Sequence, residues 1–494
     1  MSIRPILGRH SGKPADRFAA RVVGADCRMC SGYSLAVLER MIVKGSPTQS
    51  TGSAEGSESA LGAGGTGKGL TGTRRPWWTA GAFVVWALTR AYAVLLYLGV
   101  IEYRFLDGMF ADLQHYHRWS TGLAAGQVPG YDDSWQYPPG AALIFLTAHV
   151  GPSPSLDRYT DAFLVLALLA DLAVLLTLAR LARRKGSMLG AWSWAAFVPL
   201  LGMVTYARYD LFVAAVAVIA LAATVRRPAI AGAVMAVGAL LKVWPAMLLI
   251  TAKPFRGLRP MLTGFVVALV VVGGALTVAF SDAWAGFTGN QADRGLQVEA
   301  VAATPLQLGR LFEGGAHVIS AYGALELAGP FVRLATEIAP VLTVVGLGLL
   351  CAWWLLRGRR LVWSAALGFD VALAAVLVSV TTSRVFSPQY MLWLLALVGV
   401  CLSQRNTTQR IPAGLILAAT ALTGYLFPWI YAEATMTPTW RGMTVLATRN
   451  TLIVAATVLS IWALFRVKRA AEQSDDVDQT DDRVATDDHQ TQAR

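Results

Sequence analysis

Between Phe110 and Gly140 the chain reads FADLQHYHRWSTGLAAGQVPGYDDSWQYPPG, an acidic and aromatic stretch set between apolar runs. On a helix, Asp112, His115, Tyr116 and Trp119 fall at i, i+3, i+4 and i+7 and share one face. A carboxylate beside aromatic rings suits a sugar: the rings stack on the apolar face of a pyranose, and the carboxylate takes a hydroxyl proton. Trp135 and Tyr137 extend the set of rings. GQVPGY carries a turn signal through Gly126, Pro129 and Gly130, and YPPG (Tyr137 to Gly140) opens a short apolar helix, because proline is tolerated in a first turn. Asp107 competes with Asp112 as the reactive carboxylate. His115 and His117 could join Asp112 as metal ligands, a weak signal.

The apolar runs keep ionisable groups inside them or at their edges: Arg90, Asp161, Asp171, Arg208, Asp210, Lys242, Glu337, Asp370, Arg384 and Arg449. Each costs at least about 2.5 kcal/mol at a bilayer centre, so each needs a partner or a function. Several are expected to be ion pairs that only hold helices together. ARYD (Ala207 to Asp210), SRVFSPQY (Ser383 to Tyr390, with Gln389) and ADRGLQVEA (Ala292 to Ala300, with Arg294) lie at helix ends or in a second loop, and are expected to converge on the first.

These groups are positioned by a chain that is 55% hydrophobic and 15% charged, with a mean hydropathy of +0.51. A soluble protein carries about 25% charged residues. The apolar runs are continuous and near the ~20 residues that a membrane helix needs, which excludes a membrane barrel. The fold class is an all-α polytopic membrane protein. Spans are expected at about 77–100, 159–182, 187–205, 208–225, 260–281, 333–356, 362–383, 388–404, 411–428 and 444–466. Residues 228–252 lie between two basic loops and are too short for two full crossings. They are expected to form a pair of short helices that dip in and return, breaking near Lys242-Val243-Trp244-Pro245, with Lys242 lining a cavity. That makes about twelve helices, two of them short.

The net charge of +12 does not point to nucleic acid, because no basic stretch interleaves with aromatics. The Lys and Arg residues gather in short loops, for example Arg226 and Arg227, Lys253, Arg256 and Arg259, Arg357, Arg359 and Arg360, and Arg466, Lys468 and Arg469. Basic loops face the cytoplasm, which puts both termini there. Two outer loops, 101–158 and 282–332, are too long to be mere connectors. Residues 1–76 are expected to be a disordered tail, with a Gly-, Ser- and Thr-rich linker and a lone Cys27/Cys30 pair. Residues 77–466 are the transmembrane domain, and 467–494 an acidic disordered tail. The residues themselves also admit a secondary transporter, or a polymerase or ligase of lipid-linked glycans. No internal repeat supports the transporter.

Taken together, DLQHYHRWSTGLAAGQVPGYDDSWQYPPG, ARYDLFVAAVAVIAL, GALLKVWPAMLL, DRGLQVEA and FSPQYMLWLL resemble membrane glycosyltransferases of the GT-C fold. More narrowly they resemble the bacterial family 87, which includes actinobacterial phosphatidylinositol-mannoside mannosyltransferases. The resemblance covers about 77–466. It implies a sugar donor carried on a polyprenyl phosphate, typically mannose, and catalysis with inversion on the outer face of the plasma membrane. It places the catalytic carboxylate in the first outer loop, here Asp112 in the Asp112–Tyr116 context, with Tyr137 to Pro139 closing that loop. A cell-envelope glycolipid or glycan is the expected acceptor, with a glycolipid, a polysaccharide and a protein all left open by the residues. Relatives often carry a histidine just before DRGLQ, where this chain has Asn290 and Gln291.

Elementary chemistry agrees. Phosphate leaves without a proton when cations stabilise its growing charge, and only the acceptor hydroxyl needs a base. One carboxylate with a few Arg or Lys suffices, and no metal or cofactor is called for. Asp112 is the expected base. Lys242, Arg208, Arg384 and Arg449 are phosphate candidates, with Lys242 and Arg384 favoured. Tyr116, Trp119, Trp135, Tyr137, Asp210, Arg294, Gln389 and Tyr390 complete the expected substrate site.

Overall fold

The computed structural model describes residues 76–467, apart from 104, 129–134, 184–185, 313, 314 and 322. The expectations for the two tails, for Cys27 and Cys30 and for the Pro129-Gly130 turn lie outside the described residues, as does the side chain of Asp107.

In chain order, α1 (Pro76–Tyr97) leads to α2 (Leu106–Met109), α3 (Ala111–Ala124) and α4 (Ala141–Thr147). Next come α5 (Leu156–Ala182), α6 (Leu189–Phe197) with a 3-10 turn to Leu201, α7 (Val204–Ala207), α8 (Asp210–Thr224) and α9 (Pro228–Leu241). A 3-10 helix, Trp244–Thr251, precedes α10 (Leu258–Ala279) and α11 (Ser281–Ala292). The second long loop holds β1 (Leu296–Gln297), α12 (Thr304–Gly309), β2 (His317–Ala321) and β3 (Ala324–Ala328). The chain continues with α13 (Val332–Leu356), α14 (Ala365–Thr382), α15 (Tyr390–Leu402), α16 (Arg410–Leu426), α17 (Tyr431–Thr435) and α18 (Trp440–Phe465).

Among the described residues, six helices are long and apolar enough to cross a membrane: α1, α5, α10, α13, α14 and α18. The other expected spans fall on shorter apolar helices: Leu189–Leu201, α8, α15 and α16. More of them are short than the two that the sequence led us to expect. The reason is enclosure. From Met391 to Cys401 every residue of α15 is buried in protein, and a helix walled in by other helices need not match the lipid thickness. By contrast α10 and α13 turn Val267, Val270, Val271, Val344 and Leu349 outward, as lipid-facing helices do. α9 and α10 pack at backbone distance: a Cβ on Gly232 would meet the Met261 carbonyl oxygen.

The expected broken pair is present. α9 ends at Leu241, Lys242 takes an extended conformation (φ −159°, ψ 135°), and Pro245 lies in the first turn of the next helix. The second long loop carries its own small core of Leu296, Val298, Ala300, Ala303, Leu327 and Val332 under a three-stranded antiparallel sheet of order β1-β3-β2.

Several buried charges are structural, as expected. Asp171, fully buried, accepts from Trp86 (3.1 Å), Arg90 (2.6 Å), Trp194 (2.6 Å) and Tyr206 (3.1 Å), pinning α1, α5, α6 and α7 together. Asp370 accepts from Thr407 and Thr408 at 2.6 and 2.8 Å. Asp161 accepts from the Tyr97 hydroxyl at 2.7 Å, and Glu337 pairs with Arg333 on the exposed side of α13.

Candidate active site

The helix break between α7 and α8 starts the site. Arg208 is extended there (φ −125°, ψ 138°), so its side chain leaves the helical path and reaches Asp112 in the first turn of α3. The two form an ion pair with the side chains 12% and 28% exposed. Two residues on, Asp210 opens α8 and is buried. It holds the Lys242 ammonium at 2.7 Å and accepts from the Trp393 indole at 2.8 Å. Three rings box the ammonium, with centroids 4.9 Å (Tyr209), 5.1 Å (Tyr390) and 4.8 Å (Trp393) away. Tyr390 and Trp393 stack at 3.9 Å, because i and i+3 share a face at the start of α15.

Tyr137 stands half-buried beside Tyr209, with centroids 5.0 Å apart. Burial pushes its phenol up to about 12; the Asp210 carboxylate adds to the rise and the Arg294 guanidinium opposes it. Arg294 therefore faces the same space as Tyr137, and it also acts on the Lys242 ammonium together with Asp210 and Arg208. Its own nearest carboxylate is Glu326 of β3, 3.7 Å away.

The motifs expected to converge do so. Arg384 donates to the backbone carbonyls of Arg294 (2.9 Å) and Gln291 (3.0 Å), so its guanidinium staples the second loop. Gln297 Oε1 accepts from the Phe386 amide at 2.7 Å. The two residues three and two positions before Asp293 tie the loops together: Asn290 donates to Trp135 O and Gln291 to Gln136 O, each at 2.9 Å. Gln389 stands half-buried at the N-cap of α15.

Other expected site residues are placed differently. Tyr116 (1% exposed), Trp119 (8%) and Trp135 (0%) pack on one another and on Phe145, with Tyr116 stacked on Phe145 at 4.3 Å. They form the wall behind the site and present no open ring face. The short helix α4 buries Ala141, Ala142 and Phe145 in this wall and leaves Leu143 and Thr147 exposed on its other face. Arg449 is fully buried on Glu299 and faces no open space. His115 accepts from Arg118 while His117 donates to the Pro154 carbonyl, so the two rings serve different partners. No group of three metal-ligating side chains gathers among the described residues.

Tyr209, Trp393, Glu326 and Glu299 escaped the sequence reading. Tyr209 lies inside ARYD and Glu299 inside DRGLQVEA, so the segments were legible. Trp393 looks like any membrane tryptophan in sequence, and only the fold brings it to Asp210.

These features define an all-α polytopic membrane protein with a polar site where broken helices meet two long loops. The profile of glycosyltransferase family 87 matches residues 135–380, and the chain belongs to this family of GT-C-fold membrane glycosyltransferases. The match takes in Tyr137, Arg208, Asp210, Lys242 and Arg294, while Asp112 and Arg384 to Tyr390 lie outside it. No curated protein matches the chain.

Proposed function

We propose that this glycosyltransferase moves a hexose, mannose, from a polyprenyl-phosphate donor to a hydroxyl of a cell-envelope glycolipid or polysaccharide. The transfer inverts the anomeric carbon and takes place on the outer face of the bacterial plasma membrane, with both termini in the cytoplasm. One observation carries the reading. Among the carboxylates ion-paired at the site, Asp112 keeps open surface (28%), whereas Asp210 and Glu326 are buried, and Asp112 lies beside a set of cations formed by Arg208, Lys242 and Arg294. Transfer from a phosphate requires that combination: one reachable base for the acceptor, and fixed positive charge for the leaving group.

Asp112 takes the acceptor proton as the hydroxyl attacks the anomeric carbon from the side opposite the phosphate. Arg208 pairs with Asp112 and orients it. Arg294 is the proposed phosphate ligand; a carboxylate partner 3.7 Å away supports this, against Lys242, which Asp210 holds at 2.7 Å. Lys242 supports the site from behind and sets the field. Tyr137 and Tyr390, both half-buried, are the rings left to meet the sugar. The polyprenyl chain lies along the lipid-facing helices.

The test is sugar transfer by the purified protein in liposomes from radiolabelled mannosyl polyprenyl phosphate to an envelope lipid and glycan extract. Parent and Asp112→Asn are run side by side. Product from the parent alone supports donor, class and base together. Equal turnover by a folded Asp112→Asn protein would remove Asp112 from the role.

A further inference from the structure

One ion pair near the site has no part in the transfer step as described. Glu299, just past β1, and Arg449, in α18, are both fully enclosed and 2.5 Å apart. Their surroundings tie three segments together. Asn450 donates to the Glu299 carbonyl at 3.2 Å and to Thr304 Oγ1 at 2.7 Å. The Arg449 guanidinium lies over the Phe386 ring, 4.2 Å from its centroid. Tyr431 of α17 faces the Glu299 carboxylate, and Arg208 lies within electrostatic reach of Tyr431. Next to Glu299, Gln297 takes the Phe386 amide and its own N–H donates to the Arg384 carbonyl at 3.0 Å.

We propose that Glu299 and Arg449 are positioning residues of the glycosyl-transfer site: their buried pair clamps residues 293–310 onto α18 and holds Phe386, and so sets the segment from Arg384 to Tyr390 and the backbone that carries Arg294. The proposal rests on Arg294 and Tyr390 belonging to the substrate site, as read above. Chemistry favours a positioning role over plain adhesion. A buried pair exchanged as a unit for packed apolar residues is often no loss to stability. Apolar residues would keep the segments together but would lose the directional contacts that hold them in register. Burial also pushes the Glu299 carboxyl up to about 7, against the opposing pull of Arg449 and Tyr431, so the charge state of the clamp changes near neutral pH. The groups facing Glu299 are Arg449 and Asn450 from α18, Tyr431 from α17 and Thr304 from α12.

The test uses the full chain in lipid nanodiscs as parent, Glu299→Gln, Arg449→Lys and the double variant Glu299→Leu/Arg449→Met. Three quantities are read: melting temperature, hydrogen exchange at 293–310 and 384–390, and kcat and donor KM with mannosyl polyprenyl phosphate. We expect the double variant to melt close to the parent, to exchange faster at both segments, and to lose roughly ten-fold or more in kcat. Arg449→Lys should keep part of the activity. A double variant with parental exchange, kcat and KM would reduce the pair to a structural bridge and overturn the proposal. If the double variant melts far below the parent, the near-isosteric Glu299→Gln decides: faster exchange and a kcat that no longer rises with pH near 7 support the clamp, and a parental profile overturns it. If the parent itself transfers nothing from this donor, the donor reading fails, and hydrogen exchange alone still decides whether the clamp exists.

Discussion

Arg208 meets Asp112 at the junction of two elements, the extended lead into α8 and the first turn of α3. Deeper in, Asp210 meets Lys242 in the same manner, so opposite charges alternate from the open edge of the site to its floor. The outer carboxylate, Asp112, keeps surface and the inner one, Asp210, does not. On the proposed mechanism, that difference separates the reacting carboxylate from the one that holds a cation.

Asp112→Asn should therefore cut turnover by about 10²- to 10⁴-fold, the usual worth of a general base, while leaving the melting temperature near that of the parent. Transfer rates and thermal melts on the same preparation check both halves. A large drop in melting temperature would mean that Asp112 holds α3 in place more than it reacts.

The inner pair should behave in the opposite way. Lys242→Met takes the ammonium partner from the buried Asp210 carboxylate, and removing one partner of a buried pair costs about 3–5 kcal/mol. Loss of folded yield and a lower melting temperature are the expected outcome, ahead of any kinetic effect. Lys242→Met with parental stability would show that the boxed ammonium contributes little to the fold.

Stability should depend on pH through Glu299. Its carboxyl is raised from an ordinary value of 4.5 to about 7 in the folded protein. A raised folded value means that the proton favours the fold: this contribution is full below about 4.5 and is lost as pH rises through about 7. The melting temperature of the parent should fall from pH 5 to pH 8 relative to that of Glu299→Gln, which has no proton to lose. A difference that stays flat over this window would argue against a neutral Glu299 in the fold.

Gly140 closes the Tyr137–Gly140 turn against the end of α9. A Cβ there would meet the Leu240 carbonyl oxygen and carbon, backbone atoms that cannot rotate aside. Gly140→Ala should displace α9 just before Lys242, lowering the melting temperature and slowing transfer several-fold, with donor KM and kcat both changed. Parental kinetics in this variant would show that the turn and the lysine are not mechanically linked.

What the sequence by itself determined is local. Apolar run length placed the spans, and a cluster of basic loops with too few residues between them dictated the broken pair at Lys242. Loop composition marked Asp112, Tyr137 and the DRGLQVEA and FSPQY segments. Each of these depends on residues close together in the chain. Only the tertiary structure decided the partners. Arg90 goes to Asp171, Lys242 to Asp210 and Arg449 to Glu299, while Arg384 spends its donors on two carbonyls. It also decided that Tyr116 and Trp135 are wall and that Tyr137 and Tyr390 reach the site, and it folded the second loop into a small sheet. The physical reason is the same in each case. In an apolar bundle the cost of an unpaired charge is fixed by its surroundings, and those are settled only when distant helices become neighbours.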